Sequence, residues 1–135
     1  MKKDIEIPEV KNVYVAAVKQ KDDQQNTQWN VYLINDLNEM VEGVMITAKG
    51  YLEEPGKPKT STSVLRHVLG NVPAKTAAKV EHISPSVFHI NNEYWVTFFY
   101  QNKLHEKKFI FGAHTIDDAL LENTPIINQP GVVIW

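Results

Sequence analysis

Residues 91–112 read NNEYWVTFFYQNKLHEKKFIFG, an aromatic and β-branched run, a polar break, and a second run closing on Phe-Ile-Phe. Successive side chains of a strand point to opposite faces. Tyr94, Val96, Phe98 and Tyr100 then share one face, wholly apolar or amphipathic, while Trp95, Thr97, Phe99 and Gln101 share a mixed one. The pattern predicts a β-hairpin. With Asn102-Lys103 as a two-residue turn, Tyr94 falls opposite Phe111, Val96 opposite Phe109 and Tyr100 opposite His105. Asn102 tolerates the left-handed backbone such a turn needs, and a three-residue loop is the alternative.

Working outward, the same two-residue period recurs. NVYVAAVK (12–19) and WNVYLIND (29–36) read as strands separated by the polar run KQKDDQQNTQ, with Trp29, Val31 and Leu33 on one face and Asn30, Tyr32 and Ile34 on the other. GVMITAKGY (43–51) follows after a turn, and the three together suggest a meander. IEIP (5–8) is a short candidate strand. LEEPGKPKTST (52–62), with two prolines and a glycine, is the expected exposed loop. STSVLRHVLG (61–70) fits a short helix or a strand, and its β context favours strand. AKTAAKVEHI (74–83) alternates, with Ala78, Val80 and His82 set against Lys79, Glu81 and Ile83, and SPSVFHINN carries a shorter strand. Pro73 and Pro85 fall at breaks, where a missing N–H removes no ladder bond.

Only HTIDDALLENTP (114–125) reads as helix, with Thr115 as N-cap, Asp118 three residues on, and Pro125 beyond its end. The closing PGVVIW must dock against the sheet or a second subunit, because a free β-branched tail invites aggregation. About seven to eight strands, one short helix near the C-terminus and no βαβ alternation predict an all-β, antiparallel β-sandwich, immunoglobulin-like or similar, as one domain over residues 1–135.

Composition bounds the function. The chain has 135 residues, a formal charge of -2 and no cysteine, which removes disulfides, thiolate metal sites and cysteine nucleophiles together. With no signal-peptide pattern in MKKDIEIPEV and no apolar run near the ~20 residues of a spanning helix, an intracellular, cytoplasmic protein without membrane contact is expected. A pI near 6.2 exerts no global pull on nucleic acid or acidic lipid. Aromatics on an open sheet face can stack bases, and Tyr94, Trp95, Phe98, Phe99 and Tyr100 beside Lys103, Lys107 and Lys108 are the residues that would do it. Rings at strand spacing more often fill a core, so nucleic-acid binding ranks third; salt-sensitive retention of an oligonucleotide would reveal it.

Motifs for catalysis are missing. GYLEEPGKP (50–58) imitates a phosphate loop but has one residue too many between its glycines, Pro58 in place of the metal-binding hydroxyl, and two glutamates that would repel phosphate. His67, His82, His89, His105 and His114 show no metal-ligand spacing, so no metal and no cofactor is expected. Glu53-Glu54, Asp22-Asp23 and Asp117-Asp118 are adjacent carboxylates in polar segments, not a converging acid–base pair. No catalytic residue is assigned.

KKDIEIPEVKNVYVA (2–16), TSVLRH (62–67), LGNVPAK (69–75) and NNEYWVTFF (91–99) resemble a small bacterial family often labelled phenylalanyl-tRNA synthetase alpha subunit. A class II synthetase grips ATP with arginines in separate motifs, and this chain has Arg66 alone. The resemblance therefore implies membership of a family without established chemistry and transfers no functional residue.

Two functions are expected, in order. The first is a noncatalytic module that binds an unknown protein partner or forms a homo-oligomer, suggested by the terminal tail and the aromatic content. The second is a small ligand-binding domain or enzyme with a site between the sheet faces near Arg66, His67, Tyr100 and His105.

Overall fold

The computed structural model describes residues 11–135, and the candidate strand at 5–8 lies outside the described residues. The strands are β1 (Val13–Lys21), β2 (Thr27–Asn35), β3 (Val41–Leu52), β4 (Thr60–Ser61), β5 (Leu65–Val72), β6 (Thr76–Ile83), β7 (Asn91–Tyr100), β8 (Lys103–Phe111), β9 (Glu122–Asn123) and β10 (Pro130–Ile134). One sheet has the order β6-β2-β1-β10-β9; the other has β4-β3-β7-β8, with β5 also paired to β3. All pairings are antiparallel. This is an antiparallel β-sandwich, and without the two-residue pieces β4 and β9 the described residues form eight strands.

Alternation decides what the sandwich buries. Tyr94, Val96, Phe98, Phe109 and Phe111 of the second sheet meet Val13, Val15, Trp29, Val31 and Leu33 of the first in one core. Each fully buried side chain of this size contributes about 1.5–3 kcal/mol. The other face of the first sheet carries a smaller core, Ala16, Val18, Ile34 and Val133, covered by Ile126 and Ile127. That is why Ile34, on the opposite face from Leu33, is also buried.

The hairpin turns one residue earlier than its sequence suggests. Gln101 and Asn102 both have positive φ, 53 and 60, the signature of a two-residue turn whose twist matches the strands. Lys103, a poor turn residue, instead begins β8. Tyr94 therefore lies opposite Phe109, Phe98 opposite His105 and Tyr100 opposite Lys103. The partners slip by two residues, so every side chain keeps its expected face.

Four further expectations are corrected. No three-stranded meander forms, because β1 and β2 pair in the first sheet and β3 joins the second. Asn35 holds that crossing: its buried amide donates to the carbonyls of Glu39, Val72 and Pro73 at 2.9, 3.1 and 3.1 Å, and its Oδ1 accepts from Leu37 N at 3.0 Å. SPSVFHINN starts as a 3₁₀ turn, Pro85–Val87, capped by Ser84. HTIDDALLENTP is helical only as the 3₁₀ turn Asp118–Leu120, capped by Asp117 rather than Thr115, whose hydroxyl donates to Gly112 O at 2.7 Å. Burial of Ile116 and the ion pair of Asp118 with Lys19 at 2.9 Å hold this segment against the sandwich, where a longer helix has no face to bury.

The fourth correction concerns β6. Opposite β2 the register passes from Tyr32↔Lys79 to Val31↔Glu81, leaving Val80 as an extra residue. This bulge reverses the alternation beyond it. Ile83 is consequently buried with Val80, and His82 is exposed. The tail does dock: β10 lies between β1 and β9, and Trp135 meets Tyr14 edge-on at 4.8 Å. The 61–70 segment is strand from Leu65 onward, and residues 53–59 form the exposed loop.

Candidate functional site

The bulge at Val80 aims Glu81 between the sheets. There its Oε2 accepts the Tyr94 hydroxyl at 2.8 Å, and its Oε1 lies 2.8 Å from His67 Nε2, which donates to it. Three strands, β5, β6 and β7, thus meet on one carboxylate. Tyr94 is 1% exposed. Burial, then the charge of Glu81, then the bond to it, raise the Tyr94 hydroxyl far above its ordinary pKa. The phenol stays a donor at any physiological pH.

Beside this network opens a cleft of about 410 Å³, lined by residues that include Glu81, His82, Ser84, Asn92, Lys49 and Thr62. Gly50 lies in its wall and lets Ile90 pack closely against the backbone: a Cβ there would meet Ile90 Cδ1 at 2.7 Å. The carboxylate at the cleft already receives two hydrogen bonds, one from a phenol that cannot release its proton. No nucleophile–base pair with an orienting third group is present in it, as acyl transfer would require. Among the described residues no group of three His, Asp or Glu side chains is placed to hold a metal ion.

The four residues singled out from the sequence occupy separate places. His67 points inward to Glu81, whereas its neighbour Arg66 is exposed and points outward, because adjacent strand residues face opposite ways. Tyr100 and His105 do meet, edge to face at 5.8 Å, and His105 stacks on Phe98 at 5.3 Å with the rings 3° apart. β3 and β7 separate β5 from β8, so the strands that carry His67 and His105 are about 14 Å apart at ordinary strand spacing. One pocket does not contain all four.

The outer face of the second sheet was less visible in the sequence. Met45, Val68, Trp95, Phe99, Leu104 and Ile110 are 49, 74, 40, 50, 50 and 41% exposed. All six lie on that face, as the registers Val68↔Met45, Met45↔Thr97, Thr47↔Trp95, Trp95↔Lys108 and Phe99↔Leu104 require. Lys108 Nζ lies 5.0 Å from the Trp95 ring. Leu104 and Ile110 share the face of Glu106 and Lys108 at every second position of β8, the signal that would have revealed this face.

No protein-family model, curated protein or solved structure matches the chain. Among the described residues no helix is long and apolar enough to cross a membrane.

Proposed function

We propose that the chain is a noncatalytic interaction module that docks another protein, or a second copy of itself, through the outer face of its second sheet. The observation that carries this reading is the grouping of six large apolar side chains, each 40–74% exposed, on four adjacent strands. Single exposed apolar residues are ordinary; a contiguous patch on a flat face is a mark of docking surfaces. The terminal tail, the other motive for this reading, is occupied within the molecule as β10.

The enzymatic reading loses support where both Glu81 oxygens are already engaged by His67 and Tyr94 and the four candidate residues are dispersed. Base stacking also loses rings, since Tyr94 and Phe98 are buried. The likeness to the bacterial family adds no residue to either. A small-ligand site is the second reading, favoured by the 410 Å³ cleft beside Glu81. Its mark is a shift in the Glu81 and Tyr94 side-chain signals on titration with small polar molecules, and unmoved signals count against it.

The test of the docking reading places a photoreactive benzoyl-phenylalanine at Phe99, with Lys57 of the exposed loop as the control position. Discrete protein adducts at Phe99 and none at Lys57 are expected. No adduct at Phe99, or equal adducts at both, contradicts it.

A further inference from the structure

The structure assigns the occupant of this face: we infer that it is a second copy of the same chain, related by a two-fold axis that lies in the interface and runs across the strands. The inference rests on the docking reading above and adds its partner and geometry. Along β8 the outward positions are Leu104, Glu106, Lys108 and Ile110, that is apolar, acidic, basic, apolar. Reversed end to end, this order places each charge against its opposite and each apolar residue against another.

A two-fold axis across the strands performs that reversal. It passes between the row Val68, Met45, Thr97, Glu106 and the row Arg66, Thr47, Trp95, Lys108, and it stacks β8 on β8 of the second copy. Glu106 then faces Lys108 of the second copy, and Leu104 faces Ile110 of the second copy. By symmetry each contact occurs twice. The alternative axis, along the strands, stacks β8 on β5 and brings Lys108 against Arg66, two cations. Charge complementarity therefore selects the first.

Glu106 is available for this contact. Among the described residues it has no ion-pair partner, whereas Glu93 on the same face already lies 3.7 Å from Lys49. Lys108 rests on Trp95 with its ammonium exposed, so it can meet a carboxylate while covering the ring. The face spans four strands and four outward rows, about 450–500 Å² of flat area at ordinary strand dimensions. That is below the ~800 Å² per partner of a standard interface, so the dimer is weak and concentration-dependent.

Sedimentation velocity over a wide concentration range tests this with the full chain and four variants. Wild type should pass from monomer to dimer. Glu106→Lys and Lys108→Glu should each weaken the dimer at least about tenfold by setting like charges face to face twice, and the double variant should recover to within about threefold. Unchanged single variants, or a double variant as weak as the singles, overturn the two-fold geometry while leaving self-association in place. A Trp95→Ser/Phe99→Ser variant that dimerises like wild type instead overturns the docking reading itself. Wild type that remains monomeric at every concentration overturns the second copy as occupant and leaves the crosslinking result at Phe99 to decide for another protein.

Discussion

The Tyr94 hydroxyl reaches the Glu81 carboxylate at 2.8 Å from the opposite sheet. One hydrogen bond thereby ties β7 to β6 through the interior. It exists because an extra residue in β6 turns Glu81 inward, and a carboxylate brought there needs donors to replace water. His67 provides the second.

Tyr94→Phe removes one donor and leaves the carboxylate under-satisfied. The expected loss of stability is about 1–3 kcal/mol, read from urea unfolding at neutral pH. A change within about 0.3 kcal/mol of zero would mean that water reaches Glu81 and that the bond is idle.

The same pair sets an alkaline limit. The folded chain holds the Tyr94 proton well above the ordinary tyrosine pKa of about 10, whereas the unfolded chain releases it near that value. Below about pH 10 both states carry the proton and the contribution is fully present. As pH rises further the unfolded state binds fewer protons, so stability falls by up to about 1.4 kcal/mol per pH unit from this group. Tyr94→Phe should show a shallower alkaline decline than wild type in paired unfolding curves, and parallel curves would contradict the assignment.

The hairpin offers a check on register. Gln101 sits at the first turn position with φ of 53, where Asn is better tolerated than Gln. Gln101→Asn should therefore stabilise by about 0.5 kcal/mol in thermal or urea unfolding. In a strand the same change would destabilise, since Asn is a poor strand residue, and that result would return the turn to Asn102-Lys103.

Much of this fold was legible because alternation is local. Tyr94, Val96 and Phe98 were assigned to one face, and they line the core; Trp95 and Phe99 were assigned to the other, and they are exposed. Where a single residue intrudes, the period gives no warning. Val80 looks like any member of an alternating run, yet as a bulge it places Glu81 inward and His82 outward. The segment 114–125 misled for a different reason: caps and apolar spacing favour helix locally, while tertiary packing of Ile116 and the Asp118–Lys19 ion pair hold it as bends around a single 3₁₀ turn. Convergence of His67, Glu81 and Tyr94 from three strands depends on sheet order, which neighbouring residues do not encode. Arg66 and His67 look like one site in sequence and face opposite ways in the sheet.

The most direct test of where this protein acts compares amide spectra of isotope-labelled protein at dilute and high concentration. Shifts concentrated on Met45, Val68, Trp95, Phe99, Leu104, Glu106, Lys108 and Ile110, with Glu81, Tyr94 and His67 unmoved, are predicted. Shifts gathered around the Glu81 cleft, or none anywhere on the outer face, would contradict the account.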